Sequence, residues 1–240
     1  MKPLKTLRDV IITKYGGELL VTATDSCGAI GEKTHDIVTA AADIAGEFTA
    51  RVALLEVLCT GAQPAFVSVP ISNEPKTAET ILAGVRRAFS DYTDIQMVIS
   101  TEKNMATSMT AFGVSVTGIC STKDFYVGKA RAGDLLFCAG LPLLGGETLE
   151  KGAPLFTPAQ LKKLTACPAV HAVIPCGSRG AAAECEIIAS ESGLAAVFGE
   201  SGIDLKKSAG PASCAVFAAK AAAGIDFGLD IPIFSIGSLM

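Results

Sequence analysis

Apolar residues recur along this chain in two rhythms. Ile44, Phe48, Val52, Leu55 and Cys59 stand three or four apart, the period of one helix face. Gly61 ends that helix and Pro64 follows it. Ile81, Leu82, Val85 and Phe89 repeat the helical spacing and predict a second helix from about Lys76 to Tyr92. Elsewhere the period is two. Phe112, Val114 and Val116 alternate with Ser115 and Thr117, which predicts a long strand over 110–120. Leu19–Thr24 reads as a strand ending at Asp25, preceded by a Gly16-Gly17 turn. Phe66–Ile71 and Ile95–Ser100 complete the strands expected in this half. A long polar loop spans 26–38 and another spans 101–108; loops of that length and polarity tend to carry function.

The pattern restarts near Tyr126. Asp134–Ala139 reads as a strand running into a Gly-rich stretch, 140–147. Thr157-Pro158 is an N-cap followed by proline at the first helical position. Val170–Pro175 is a strand, and Ser178 is placed to cap a helix over Arg179–Ser192, closed by Gly193. Strands at 194–198, 213–217 and 231–236 finish the chain. Strands and helices alternate, but segment 110–120 and the closing strands suit an antiparallel or mixed sheet. The expected fold class is therefore α+β, with mixed sheets packed against helices in two halves joined near 121–130. The domains are drawn at 1–125 and 126–240.

Composition narrows the function classes. The 240 residues are 50% hydrophobic and 18% charged, with a net charge of −4. No basic footprint for nucleic acid is present. The mean hydropathy of +0.45 invites a membrane reading. The apolar stretches, however, are interrupted by Glu56 and Thr60, or by Asp134, Gly140 and Pro142, short of the ~18 residues a span needs. No positively charged leader with an apolar stretch is read at the start, so a cytoplasmic protein is expected. The 8 cysteines include no Cys-x-x-Cys pair, and His35 and His171 lack ligand spacing. Buried free thiols are the expectation.

Scarcity of charge makes the acids at element ends conspicuous. These are Asp9, Asp25, Glu56 within an otherwise apolar helix, and Glu102 directly after a strand. A carboxylate among apolar neighbours must be paired, protonated or metal-bound. Pairing of Glu56 with Arg51 or a cap is the structural alternative. Carboxylates without His or Cys partners suit a hard cation, and Mg²⁺ with oxygen ligands bridging to phosphates points to nucleotide chemistry. Gly28-Ala-Ile-Gly31-Glu-Lys33-Thr34 departs from a P-loop in its glycine spacing and in Glu32. Lys33, Lys103, Arg179 and Lys207 are candidate phosphate contacts. Arg179 is the best placed of them, at a helix start.

The order of these pieces resembles the aminoimidazole ribonucleotide synthase-like (PurM-like) superfamily, over nearly the whole chain. The carriers are Asp9, Thr22-Ala-Thr24-Asp25, Glu56-Val-Leu-Cys-Thr-Gly61-Ala-Gln-Pro64, Ser100-Thr101-Glu102-Lys103, Pro175-Cys-Gly-Ser-Arg179-Gly180 and Ser208-Ala-Gly210-Pro211. Departures are Glu56 in place of the usual Asp, the missing Gly-Gly before Glu102, and a shorter chain. With Lys5-Thr-Leu-Arg8-Asp9, Gly31-Glu-Lys33-Thr-His35-Asp36, Thr101-Glu-Lys103-Asn104 and Lys207-Ser-Ala-Gly-Pro211, they make the chain most similar to the α-ribazole kinase branch.

That resemblance implies a homodimer, in which strands of two N-terminal halves form a barrel. It implies ATP and Mg²⁺ as cofactors and a small nucleoside as substrate. Asp9, Asp25, Glu56 and Glu102 would hold the metal. Lys5, Arg8, Asp9, Lys33, Lys103, Asn104, Ser178 and Arg179 would contact the nucleotide. Asp25, Lys33, His35 and Asp36 would serve the transfer itself. A thiamine-monophosphate kinase-like or other amide-activating enzyme of the superfamily is the alternative within enzymes. A non-catalytic ATP-binding regulatory or assembly protein is the alternative outside them.

Overall fold

The computed structural model describes residues 3–4, 8–221 and 224–240; Lys5, expected at the nucleotide, lies outside the described residues. The described chain divides into two compact units. Among the described residues, one draws on 3–4, 9–58 and 62–123, the other on 8, 59–61, 124–221 and 224–240.

The first unit is a six-stranded mixed sheet backed by two helices. Its strands are β1 (Pro3–Leu4), β2 (Val10–Tyr15), β3 (Glu18–Gly28), β6 (Gln63–Ile71), β7 (Gln96–Thr101) and β8 (Ala111–Ser121). A short parallel pair, β4 (Ile30–Gly31) and β5 (Val38–Thr39), forms within the long loop. The helices are α1 (Ala42–Leu58) and α2 (Pro75–Ala88). The sheet order is β1-β2-β3-β8-β6-β7, with only β6 and β7 parallel. β2 is a strand that the alternation analysis did not predict. It pairs with β3 across Tyr15↔Glu18. Gly16 and Gly17, at φ 58° and 91°, make the two-residue turn whose left-handed positions match strand twist.

Every second residue of β3 (Leu19, Val21, Ala23, Cys27) is buried beneath α1, and β8 answers with Phe112, Val114 and Val116. α1 carries buried residues on most of its circumference, because α2 covers the side away from the sheet. The two helices approach to backbone contact at two glycines. A Cβ on Gly84 would lie 1.7 Å from the Asp43 carbonyl oxygen, and one on Gly46 would lie 2.2 Å from that of Ile81. α2 stops at Ala88, short of the expected Tyr92. The amides of Phe89, Ser90 and Tyr92 turn back onto the carbonyls of Arg86, Arg87 and Phe89.

In the second unit β9 (Leu135–Gly140), β10 (Val170–Pro175), β11 (Ala196–Phe198), β12 (Cys214–Ala219) and β13 (Ile233–Leu239) pair antiparallel in the order β10-β12-β9-β13-β11. The helices are α3 (Pro158–Ala166), capped by Thr157, and α4 (Gly180–Glu191). Leu136, Cys138, Val216 and Ala218 point to one sheet face, where they pack with Ala181, Cys185 and Ile188 of α4. Phe137 and Phe217 alternate onto the other face and stack at 5.1 Å, with Phe227 against both. Arg8 is buried in this unit. Its guanidinium pairs with Glu191 at 2.9 Å and donates to the Cys59 and Val173 carbonyls.

Candidate active site

One edge of the first sheet gathers the candidate chemistry. The registers Gly28↔Ala111, Ile71↔Phe112 and Ile71↔Thr101 place the C-terminal ends of β3, β6 and β7 and the start of β8 side by side. Val10↔Ala23 brings the start of β2, and so Asp9, to the same edge. Asp25 lies inside β3, because that strand continues to Gly28 beyond its expected end. The pleat turns residue 25 to the face that carries Ala23 and Cys27, the face covered by α1. Burial there pushes the Asp25 carboxyl up to about 6, and the Ser26 amide offsets this only in part.

Glu102 follows β7. Its amide donates to the Ile71 and Asn73 carbonyls, and its carboxylate accepts from the amides of Asn104 at 2.6 Å and Met105 at 3.1 Å. Those backbone donors hold its carboxyl below the usual range. Lys103 and Asn104 are exposed on the loop that follows. Glu56 is half-buried near the end of α1. Its neighbour Val57 packs on Gly118, the partner of Val21, four strand residues or ~13 Å from Asp25. Among the described residues, the four acids supply no group of three with ligand atoms within 4.8 Å.

The long loop is fastened to this edge by a polar network. Asp36 accepts from the amides of Lys33 and Thr110, each at 2.8 Å, and from the Thr110 hydroxyl at 2.7 Å. Partial burial raises the Asp36 pKa, but these donors and the Lys33 charge outweigh it and hold the carboxyl below its ordinary range. Gly31 sits against this knot, where a Cβ would lie 2.2 Å from Thr110 Oγ1. Lys33 Nζ pairs with Glu74 Oε1 at 2.5 Å and donates to the Thr107 carbonyl. Glu74 also accepts from the Thr77 and Thr107 hydroxyls, and Lys33 above all draws its carboxyl down to about 2. His35 Nδ1 lies 3.0 Å from Ser108 Oγ and the ring is exposed.

The structure therefore brings Asp9, Asp25, Lys33, His35, Asp36, Glu102, Lys103 and Asn104 to one edge. Glu74, Asn73, Thr107 and Thr110 complete the network. Sequence spacing does not reveal them, because they lie on two separate connections, β6–α2 and β7–β8. The only local signal was Glu74 directly before the helix-opening Pro75.

The second unit holds the remaining expectations. Arg8 is committed to Glu191 and two carbonyls. Ser178 does not cap α4. The helix enters through Arg179 and Gly180, and Gly180 takes φ 80° in close contact with the Leu205 and Lys207 carbonyls, which sets the start one residue late. Ser178 and Arg179 are exposed, with Arg179 Nη2 3.5 Å from Glu184. The Gly-rich 140–147 stretch closes as a 3-10 turn whose Glu147 pairs with Lys207 at 2.8 Å.

The donor set suits Mg²⁺, a hard ion that takes one or two carboxylates and completes its shell with water and phosphate oxygens. Oxygen ligands spread along an edge, with Asp25 desolvated, fit that demand better than a closed protein cage.

No family model matches the chain, and neither does any curated protein. Solved structures do match. AaThiL complexed with AMPPCP and TMP is 18% identical with a TM-score of 0.64, over 97% of this chain and 84% of that one. Thiamine-monophosphate kinase from Stenotrophomonas maltophilia K279a is 18% identical with a TM-score of 0.63, over 99% and 88%. HypE, a hydrogenase maturation protein of E. coli, is 17% identical with a TM-score of 0.60, over 92% and 79%. At these identities the likeness is one of fold, and the fold is PurM-like.

Proposed function

We propose that this PurM-like chain is a Mg²⁺-dependent kinase that moves the γ-phosphoryl group of ATP to the ribose 5′-hydroxyl of α-ribazole. That step belongs to salvage of the lower ligand of cobalamin. What supports the reading is that Asp9, Asp25, Glu102 and the Lys33 loop lie along the same end of one sheet. That arrangement occurs on a fold shared with a thiamine-monophosphate kinase. The acceptor rests on the sequence resemblance alone.

Asp9, Asp25 and Glu102 are the carboxylates proposed to hold the metal; Glu56, expected with them, lies farther along α1. Bound there, Mg²⁺ would neutralise charge on the β- and γ-phosphates. The chain's own work is positioning. Lys33 exchanges Glu74 for a phosphate oxygen, while Asp36 keeps the loop anchored through Thr110. The 5′-oxygen forms a bond to Pγ as the bond from Pγ to the β,γ-bridging oxygen breaks, and ADP leaves with that electron pair. The hydroxyl proton passes to water or to exposed His35. Lys103 and Asn104 follow Glu102 at the same edge. Cytoplasmic location is proposed with this substrate.

A homodimer is part of the reading. The face of the first sheet opposite α1 exposes Ile11, Phe66, Val98 and Ile119 at 66%, 49%, 65% and 39%, an apolar area of the kind a partner sheet covers.

Incubation with ATP, Mg²⁺ and α-ribazole tests this directly. ADP and α-ribazole 5′-phosphate are expected by mass spectrometry, and no phosphorylated product in the presence of bound ATP would overturn it. A parallel arm with thiamine monophosphate tests the second reading. That reading is favoured by the match to a ThiL structure holding AMPPCP and TMP together.

A further inference from the structure

Three cysteines far apart in sequence meet inside the second unit. Cys138 lies on β9, Cys214 begins the neighbouring strand β12, and Cys176 directly follows β10 on the other side of β12. The register Pro175↔Ala215 puts Cys176 beside Cys214, and the Cys176 amide donates to the Cys214 carbonyl at 2.9 Å. Cys138 pairs with Val216, two residues along β12, so its side chain shares a sheet face with that of Cys214. All three are free thiols at 0% exposure, with sulfur atoms within 4.8 Å of one another.

The chemistry of this group is specific. Thiolates are soft donors, and hard cations such as Mg²⁺ do not use them. Metal–sulfur bonds of ~2.3 Å set a trigonal triangle of sulfurs with edges of ~4 Å. The observed limit of 4.8 Å therefore needs a contraction of less than ~1 Å. The group offers three donors in an apolar shell of Leu136, Ala181, Val216 and Ile236. Zn²⁺ takes four ligands, the fourth supplied by protein or water. A fully buried set of three suits a soft monovalent ion that is content with three.

We propose that Cys138, Cys176 and Cys214 form a buried trigonal site for a thiophilic monovalent cation, Cu(I). Each thiol that coordinates gives up its proton, and no change of oxidation state is involved. The complex carries net negative charge. α4, opening four residues after Cys176, offers its N-terminal dipole to offset part of it. None of the three residues is assigned a role in the kinase reading.

The test is refolding of the full chain under argon with Cu(I), followed by washing with a Cu(I)-specific chelator. One copper retained per chain, with three sulfur scatterers in its X-ray absorption spectrum, is expected. Retention should fall at least tenfold in Cys138→Ala and in Cys176→Ala, and persist in Cys27→Ala, a buried thiol of the other unit. A rise in melting temperature of the wild-type chain on loading, absent from Cys138→Ala, gives a readout that does not depend on yield. No retained copper in folded wild type, equal retention in the trio variants, or tighter binding of Zn²⁺ with a fourth ligand would overturn it.

Discussion

Replacing Gly31 by Ala perturbs the anchor of the candidate phosphate loop at one point. The new Cβ would lie 2.2 Å from Thr110 Oγ1, 2.6 Å from Asp36 Oδ2 and 2.9 Å from Thr110 Cβ. Thr110 is 0% exposed and its hydroxyl is bonded to Asp36, so it has no alternative position at hand. Reaching even 3.0 Å requires a shift of about 0.8 Å in the Thr110 hydroxyl, which breaks the knot. Overpacking of this kind costs ~1–3 kcal/mol. The Asp36 hydrogen bonds are partly repaid by water because that side chain is half-exposed, so we take ~2 kcal/mol. For a chain of this length that lowers Tm by ~4–8 °C. Calorimetry reads the loss, and limited trypsinolysis should cut faster after Lys33. Gly28→Ala is the control, because no atom lies within 4 Å of its added Cβ. If Gly31→Ala melts within 1 °C of wild type with unchanged cleavage at Lys33, the anchoring role assigned to Asp36 and Thr110 is wrong.

Three further outcomes are expected. Gly84→Ala gains ~1 kcal/mol of helix propensity. The 1.7 Å approach to the Asp43 carbonyl nevertheless forces α1 and α2 apart, and a net fall in denaturation midpoint is expected; a rise would refute the close crossing. Asp25→Asn should abolish turnover while making the fold more resistant to urea at pH 7.5. An acid whose folded pKa of about 6 exceeds its ordinary 3.8 loses stability as pH rises through that window, worth ~1–2 kcal/mol after discounting for its solvent-facing part. A variant no more stable than wild type would show that Asp25 is not desolvated. Glu74 gives the opposite sign. Its depressed carboxyl contributes above pH 4.5, and that contribution is lost as pH falls toward about 2. Hydrogen exchange in the Lys33 loop should therefore accelerate in that acid range, and a flat profile would dissociate Lys33 from Glu74.

What the sequence disclosed depended on whether a signal was local. The helix face through Ile44, Phe48, Val52 and Leu55 and the alternation of Phe112, Val114 and Val116 both rest on neighbours in sequence, and both elements formed. Val10 and Ile12 alternate in the same way ahead of Gly16-Gly17, yet the turn was read without its first strand. The apolar alternation of Leu19–Thr24 predicts a strand end at Asp25, but β3 runs to Gly28. The strand runs on through a half-buried acid that the pleat turns to the face under α1. Ser178 has the right chemistry for a cap, but the left-handed Gly180 behind it delays the helix. The ties from Lys33 to Glu74 and from Asp36 to Thr110, and the Cys138–Cys176–Cys214 group, are products of strand order. No spacing rule foretells which distant residues a sheet will seat together.

The uncovered face of the first sheet carries a feature beyond its apolar residues. Thr22 and Thr117 bond each other at 2.9 Å across β3 and β8, and Ser115 bonds Thr24 at 2.9 Å in the next row. These hydroxyls already satisfy one another, so covering them strands few polar groups. The dehydration cost of placing a second copy there is therefore small. The drive, set by Ile11, Phe66, Val98 and Ile119, is also modest. Association through this face would be finely poised and would track protein concentration. If pairing there shapes the candidate site, any specific activity would fall on dilution, and the protein's output would scale with its abundance.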